Sequence, residues 1–223
     1  ADGGLIAGGY SSSGTSGNKT VVGLGNSDYW VLKLDAQGAK QWERAYGGHS
    51  VDRLWAIERT VDGGFLLGGY SYSSGGSGTK MATHYGGYDY WVVKIDANGN
   101  QQWDRSFGGG RDDYFSAVAQ AADGGYFLGG ETQSGIGGNK ETEWFGSTDY
   151  WLIKTDANGN KQWEGTFGGD QNDSLTSLVP TDDGGCILGG YSNSDSSGNK
   201  TNRIISDFDY WIVKLNASGN KEW

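Results

Sequence analysis

The stretch YDYWVVKIDANGN, residues 88–100, runs from large apolar side chains into an Asp-Ala-Asn-Gly turn. β-Branched and aromatic residues favour strands, and Asn-Gly between apolar runs favours a hairpin in which both turn positions have positive φ. Both faces of Tyr90–Ile95 are mostly apolar, which is typical of a sheet covered on both sides. The stretch therefore predicts a buried strand, a tight turn and a partner strand around Gln101–Phe107.

The same pattern occurs four times along the chain. Asp-Gly-Gly begins at residues 2, 62, 123 and 183, and Asp-Tyr-Trp begins at residues 28, 89, 149 and 209. A fixed period of this length is typical of repeat architectures. We interpret residues 1–223 as one domain with repeats at about 1–60, 61–121, 122–181 and 182–223, the last of them incomplete.

Each repeat is predicted to contain four short strands. The first strand lies at Leu54–Thr60, Phe115–Ala121 or Leu175–Thr181, and the second is exemplified by Phe65–Ser71. No segment shows a helical apolar period, so the fold class is all-β. Four-stranded antiparallel blades covered on both faces predict a β-propeller; the alternatives are a β-sandwich and a stacked solenoid. Because the first repeat lacks its first strand, we expect further blades or a second chain to complete the ring.

Composition narrows the class of protein. Glycine supplies 42 of the 223 residues, but there is one proline and no glycine at every third position, which excludes a collagen-like chain. The ten tryptophans and thirteen tyrosines argue against disorder. A formal net charge of −10 opposes binding to nucleic acid or anionic lipid. No apolar run approaches the roughly 18 residues of a membrane span.

The single cysteine, Cys186, replaces Phe65 and Tyr126 of other repeats, which predicts a buried position.

Three segments together resemble a known class of repeat. DGGFLLGGYS (62–71), YDYWVVKIDANGN (88–100) and FGG (107–109) are similar to repeats in secreted and surface proteins of Bacteroidota, many of which carry a type 9 secretion sorting domain. The resemblance covers essentially the whole chain. It implies a β-propeller and an extracellular or cell-surface location. It implies no activity, because these repeats occur in large proteins mostly of unassigned function.

Three sets of polar residues recur at equivalent positions, and we interpret them as structural. A catalytic site needs different groups that converge on one point, whereas these sets repeat the same group. The aspartates are expected to accept backbone N–H bonds at turns, and the lysines to bond an aspartate of the same or the next blade. The sets are Asp28, Asp89, Asp149 and Asp209; Lys33, Lys94, Lys154 and Lys214; and Asp52, Asp113 and Asp173.

Tryptophan also recurs at two positions. Tryptophans in the third strands stand beside apolar residues, which predicts core packing. Those at the start of the fourth strands are expected to be partly exposed. The first set is Trp30, Trp91, Trp151 and Trp211, and the second is Trp42, Trp103 and Trp163.

The two rims of each predicted blade differ in loop length. One rim carries the long loops between the second and third strands, and the other carries the tight turns. The long loops have about 17 residues each, at 11–27, 72–88, 132–148 and 192–208. Loops longer than about 12 residues without secondary structure are uncommon unless they are functional or disordered. Exposed aromatic rings beside carboxylates suit a sugar site; the alternative is that these rings hold the loop against the blade. The candidate ligand-binding residues are Glu131, Glu141, Glu143, Trp144, Phe145, His84 and Tyr85.

Two functions of different classes are compatible with these residues. The first is a non-catalytic surface module that binds glycan or protein through the long loops. The second is a glycan hydrolase or lyase that uses two of Glu131, Glu141, Glu143 and Asp170 as acid and base. A spacer with no ligand is a third alternative. The near-equivalence of the repeats favours the binding module. No cofactor is predicted; calcium is conceivable in the fourth loop, which contains Asp195 and Asp207.

Overall fold

A computed structural model describes residues 3–223. These residues form fourteen strands and no α-helix. The described part of the chain accordingly offers no helix with the length and apolarity of a membrane span. The all-β class predicted from the sequence is confirmed, and the chain divides into two compact units.

Within the described residues, the first unit comprises residues 3–84 and Tyr90–Ser106. Its first sheet has the order β1-β2-β3, and most of a second sheet, of order β4-β5-β6-β7, also lies here. Consecutive strands are hydrogen-bonded neighbours in both sheets. The strands are β1 (Leu5–Ser11), β2 (Asp28–Leu34), β3 (Lys40–Tyr46), β4 (Asp52–Arg59), β5 (Phe65–Ser71), β6 (Asp89–Ile95) and β7 (Gln101–Phe107).

The second unit comprises Tyr85–Asp89 and Phe107–Trp223. It contains a four-stranded sheet of order β11-β10-β9-β8 and a three-stranded sheet of order β12-β13-β14. Both are antiparallel meanders of consecutive strands. The strands are β8 (Asp113–Gln120), β9 (Tyr126–Thr132), β10 (Asp149–Thr155), β11 (Lys161–Phe167), β12 (Asp173–Pro180), β13 (Cys186–Ser192) and β14 (Asp209–Leu215).

Most predicted strand positions agree with the structure. Phe65–Ser71 and Gln101–Phe107 coincide with β5 and β7. The first strand of the second sheet begins at Asp52, two residues before the predicted start, because Asp52 pairs with Ser71 across the sheet. The predicted burial of the third strand on both faces is confirmed for β6 and β10, in which every residue is buried.

The tight turns have a different conformation from the one predicted. The prediction required positive φ at both turn positions, but only glycine adopts positive φ among the described residues, with Gly99 at 78°. The Asp96 carboxylate accepts hydrogen bonds from Asn98 N and Asn100 N at 2.8 Å each. The aspartate therefore fixes the turn, and one left-handed glycine completes it, as in hairpins that end in a glycine bulge.

Each complete first strand contains a β-bulge that the sequence did not reveal. The pairing of β4 with β5 shifts between Leu54 and Ala56, so Trp55 has no partner across the sheet. A Cβ on Gly69 would lie 2.0 Å from the carbonyl oxygen of Arg53. Glycine therefore lets the two strands approach at the bulge. Equivalent shifts place Ser116 in β8 and Thr176 in β12 at the bulge.

The third-strand tryptophans form much of the core, as predicted. Trp91 and Trp151 are completely buried and Trp211 nearly so, while Trp30 is only partly buried. Cys186 is also completely buried, as its apolar counterparts in other repeats predicted. The fourth-strand tryptophans Trp42, Trp103 and Trp163 are partly exposed, which agrees with the prediction.

Candidate functional site

The aspartate that begins each third strand accepts hydrogen bonds from the end of the preceding long loop. Asp149 Oδ2 accepts hydrogen bonds from Phe145 N at 2.7 Å and Gly146 N at 3.4 Å. These bonds satisfy backbone donors of an irregular segment. The capping role predicted from the repeat is confirmed. Asp28, Asp89 and Asp209 accept equivalent bonds from Leu24, Tyr85 and Ile205.

A second aspartate fixes the loop that precedes the first strand. Asp173 Oδ2 accepts hydrogen bonds from Gly169 N and Ser194 Oγ, both at 2.8 Å. Ser194 belongs to the long loop, so the carboxylate joins two loops of the same unit. Asp52 accepts equivalent bonds from Gly48 and Ser73, and Asp113 from Gly109 and Ser134.

The two aspartates meet at a glycine. A Cβ on Gly168 would lie 1.8 Å from Asp149 Oδ1 and 2.8 Å from Asp173 Oδ2, so a hydrogen is all that fits there. Burial raises the pKa of Asp149 to about 7, and the nearby Asp173 carboxylate adds to the rise. Burial also raises the pKa of Asp113 to about 6, although hydrogen bonds from Thr132 and Gly109 oppose the change. These carboxyls therefore titrate near neutral pH for a structural reason, desolvation.

The repeated lysines pair with aspartates of their own sheet. Lys154 Nζ lies 2.7 Å from Asp123 Oδ2 and also donates to Thr155 O at 2.9 Å and Gln162 Oε1 at 3.0 Å. The predicted lysine–aspartate bond is confirmed, and its partner is the Asp-Gly-Gly turn rather than the next blade. Lys94 pairs with Asp62 and Lys214 with Asp183; Asp2, the counterpart for Lys33, lies outside the described residues.

A second set of lysines, which the sequence analysis missed, lies inside the long loops. Lys80 is completely buried, and its ammonium donates to Ala82 O at 2.8 Å and Ser106 Oγ at 2.9 Å. It also lies 5.9 Å from the ring centroid of Trp91. The buried members of the set are Lys19, Lys80, Lys140 and Lys200. Their regular spacing after a glycine-containing turn could have identified them.

An acidic residue of the fourth strand completes this loop anchor. Asp104 Oδ2 accepts hydrogen bonds from Met81 N at 3.0 Å, Ala82 N at 2.8 Å and Trp91 Nε1 at 3.0 Å. The loops are therefore held by buried polar contacts, although they contain little regular structure. Glu43 and Glu164 occupy the equivalent positions and bond the first and third loops.

Two of the predicted ligand residues pack against neighbouring loops. A Cβ on Gly138 would lie 2.9 Å from Tyr85 Cβ, and one on Gly198 would lie 3.0 Å from Phe145 Cγ. Both aromatic residues therefore lie beside a glycine of a neighbouring loop, and Phe145 is still 40% exposed. Whether they also bind a ligand stays a prediction. His84 lies beside Tyr72, with ring centroids 5.3 Å apart and the ring planes tilted by 59°.

The predicted acidic residues have separate surroundings. Glu141 is exposed, with Oε1 3.3 Å from Lys161 Nζ, and Glu143 is also exposed. Glu131 pairs across the sheet with Tyr114, and Asp170 Oδ1 accepts a hydrogen bond from Ser197 Oγ at 3.0 Å. The acid–base pair of the enzyme alternative stays a prediction. Among residues 3–223 no group of three or more His, Cys, Asp or Glu side chains could hold a metal ion.

Trp144 is partly buried beneath an arginine of the same unit. The guanidinium of Arg111 lies 5.1 Å from the centroid of the Trp144 ring, a cation–π contact. The Nε1 donor of Trp144 is buried and has no hydrogen-bond partner in the described part of the chain. Within the predicted set, Trp144 therefore combines an aromatic ring covered by an arginine with a buried donor that has no partner among the described residues.

The first unit carries a more exposed group of aromatic side chains, which we call the aromatic surface. It consists of Tyr10, Arg53, Trp55 and Tyr70. Trp55 is 61% exposed and Tyr10 is 49% exposed. Arg53 lies 5.0 Å from the Tyr10 ring centroid, and the rings of Trp55 and Tyr70 are 6.4 Å apart. Tyr70 and Arg53 are directly opposite across the sheet. The bulge thus turns Trp55 outward at the loop end of β4.

Comparison with known proteins leaves the family open. No protein-family model matches the chain. The chain is 27% identical over 168 residues to Regulatory protein FlaEY of Caulobacter vibrioides, a match that covers 70% of this chain and 17% of that protein. This chain therefore corresponds to less than a fifth of that relative. A crystal structure of a protein of unknown function from Bacteroides caccae aligns with a TM-score of 0.34 and 11% identity, covering 88% of this chain and 76% of the other.

Proposed function

We propose that this chain is a non-catalytic β-propeller module that binds glycan at an extracellular or cell-surface location. Its sheets are meanders of consecutive strands, and β6 and β10 are buried along their whole length. Both features support blades that are covered on two faces. Further blades or a second chain complete the ring in this proposal.

The exposure of Trp55 is the observation that carries the binding proposal. The equivalent bulge positions hold Ser116 and Thr176, so the fold does not require an aromatic residue there. An indole that is 61% exposed leaves apolar area in water, which costs about 25 cal/mol per Å² relative to burial. A ligand that covers the ring recovers this free energy.

The chemistry of the aromatic surface suits a sugar. The Trp55 and Tyr70 rings offer faces for the C–H groups of a pyranose ring, since amphipathic aromatic side chains bury area at low entropic cost. Trp144 and Arg111 form a second aromatic–arginine pair in the other unit. Repeated weak sites of this kind raise avidity for a polymer that carries many equivalent sugars.

The test replaces Trp55 with the residue that another repeat already uses at the bulge. The variant Trp55→Ser and the wild-type chain are compared on a glycan array, and hits are measured by isothermal titration calorimetry. Ile136→Ser is the matched control, because Ile136 is also an exposed apolar residue, at 63%, but lies outside the aromatic surface. Thermal unfolding of all three proteins shows whether the fold is kept.

We expect Trp55→Ser to lose glycan binding by about tenfold or more, since truncation of a central aromatic residue at a binding surface costs about 2 kcal/mol or more. Ile136→Ser should bind like the wild type, and all three proteins should unfold at similar temperatures. Absence of any glycan hit for the wild-type chain would overturn the proposal. Binding by Trp55→Ser equal to that of the wild-type chain would show that the site lies outside the aromatic surface.

A further inference from the structure

The two sheets of the first unit meet through a tyrosine and a tryptophan. The rings of Tyr29 in β2 and Trp91 in β6 have centroids 4.7 Å apart, and Tyr29 Oη donates a hydrogen bond to Trp91 O at 2.8 Å. A Cβ on Gly69 in β5 would lie 2.6 Å from Tyr29 Oη, so glycine leaves room for the hydroxyl. Successive side chains point to opposite faces of a sheet, so a tyrosine face meets a tryptophan face.

The second unit makes the same contact with the equivalent residues. The rings of Tyr150 in β10 and Trp211 in β14 have centroids 4.9 Å apart, and Tyr150 Oη donates to Trp211 O at 3.1 Å. A Cβ on Gly190 in β13 would lie 2.7 Å from Tyr150 Oη. Both units therefore join a tyrosine face to a tryptophan face, with a glycine beneath the tyrosine hydroxyl.

The tyrosine face of the β12-β13-β14 sheet is uncovered. Tyr210 is 95% exposed, whereas its counterparts Tyr29 and Tyr150 are completely buried. Ile212 lies on the same face and is 53% exposed, whereas its counterpart Leu152 is completely buried. Apolar area left in water costs about 25 cal/mol per Å² relative to burial. One half of the repeated contact is thus present without its other half in the described part of the chain.

The tryptophan face of the β1-β2-β3 sheet is the missing half. Trp30 is partly exposed, whereas its counterpart Trp211 is 5% exposed. Trp30 Nε1 donates to Glu43 Oε2 at 3.0 Å, which holds the ring in place. Gly9 pairs with Trp30 across the sheet, as Gly190 does with Trp211. A Cβ on Gly9 would meet no described residue within 4 Å, so the space that a tyrosine hydroxyl takes in the internal contacts is open here.

We propose that the tyrosine face of the β12-β13-β14 sheet docks on the tryptophan face of the β1-β2-β3 sheet in a second copy of this chain. Tyr210 of one copy contacts Trp30 of the next, with its hydroxyl over Gly9. This reproduces the contact of Tyr150 with Trp211. The chain carries both halves of the contact, and the two faces differ, so the copies join head to tail. The inference rests on the proposed function, in which a second chain completes the ring, and identifies that chain as a second copy.

The experiment is sedimentation velocity of the full chain over a range of concentrations. Tyr210→Ser removes the exposed tyrosine, and Gly9→Val fills the opposite space without a clash inside one chain. Val61→Ser is the control for the first, because it also removes an exposed apolar side chain, at 89%. Gly14→Val is the control for the second, because a Cβ there also meets nothing within 4 Å. Circular dichroism of every variant shows whether the fold is kept.

The wild-type chain should form species larger than the monomer. Tyr210→Ser and Gly9→Val should each weaken association by about tenfold or more, which corresponds to about 1.4 kcal/mol. Val61→Ser and Gly14→Val should associate like the wild-type chain. A wild-type chain that stays monomeric at high micromolar concentration would overturn the inference.

A mixture of the two face variants tests the head-to-tail arrangement. Gly9→Val keeps an intact tyrosine face and Tyr210→Ser keeps an intact tryptophan face, so a 1:1 mixture should form a heterodimer through the one remaining contact. Association of Gly9→Val alone as tight as that of the wild-type chain would indicate contact between two tyrosine faces and refute the proposed pairing. A mixture that forms no heterodimer would refute it as well.

Failure of this contact is distinguishable from failure of glycan binding. Trp55 belongs to β4, which is in neither of the two docking sheets. A monomeric chain that binds glycan through Trp55 would overturn the second copy alone. An assembled chain that gives no hit on the glycan array would overturn glycan binding and support the docking contact.

Discussion

Gly168→Ala is the sharpest test of the loop anchors. The new methyl carbon would lie 1.8 Å from Asp149 Oδ1 and 2.8 Å from Asp173 Oδ2, both far inside ordinary contact. Neither carboxylate can move freely, because Asp149 bonds Phe145 N and Asp173 bonds Gly169 N. Overpacking costs about 1–3 kcal/mol, and loss of a hydrogen bond to a charged group costs about 1.5–3 kcal/mol. We therefore expect the free energy of unfolding to fall by about 3–5 kcal/mol.

The matched control is Gly135→Ala in the same unit. A Cβ at Gly135 meets nothing within 4 Å, and its φ is not positive. This variant should be neutral or more stable by up to about 1 kcal/mol, because alanine restricts the unfolded chain. Urea denaturation monitored by tryptophan fluorescence measures both values. A loss below about 1 kcal/mol in Gly168→Ala would refute the claim that the aspartates fix this glycine.

The remaining predictions concern titration and the buried lysine. Since the pKa values of Asp149 and Asp113 are raised to about 7 and about 6, the folded chain binds protons more tightly than the unfolded chain, so stability should fall as the pH rises from 5 to 8. Thermal melts across this range check the direction, and a melting temperature that rises from pH 5 to 8 would contradict it. Lys154→Met should lower the free energy of unfolding by about 2 kcal/mol, because it leaves Gln162 and the Thr155 carbonyl without their donor. Lys40→Met, at a more exposed pair, should lower the free energy of unfolding by less than about 1 kcal/mol. An unchanged free energy of unfolding in Lys154→Met would show that the buried pair is not a net stabiliser.

The positions of the turns and strands were predictable because their causes are local, although the turn conformation differed from the predicted one. Asp96 and Gly99 define a turn within five residues, and the apolar run Tyr90–Ile95 defines the strand before it. The bulge at Trp55 was not predictable in the same way. It depends on the close approach of Gly69 to the Arg53 carbonyl, a contact between different strands.

The candidate site was predictable only in part. The sequence directed attention to the long loops, and the structure places Arg111 over the Trp144 ring and puts Tyr85 and Phe145 beside glycines of neighbouring loops. Ligand binding at these residues stays a prediction. The sequence could not show the exposure of these rings, because an aromatic residue in a loop gives the same sequence pattern whether it is buried or exposed. The sequence did not single out Trp55, because this residue lies within a strand whose pattern is typical of buried core residues.

By itself, the sequence determined the repeat, the all-β class, the positions of the tight turns and the repeated aspartates and lysines that bond within each unit. These follow from composition and spacing along the chain. Only the tertiary structure decided which side chains meet: the Asp149–Asp173 contact at Gly168, the buried loop lysine Lys80, and the exposed ring of Trp55. Such contacts join residues from distant parts of the chain, and burial and charge at these points depend on packing rather than on any local pattern.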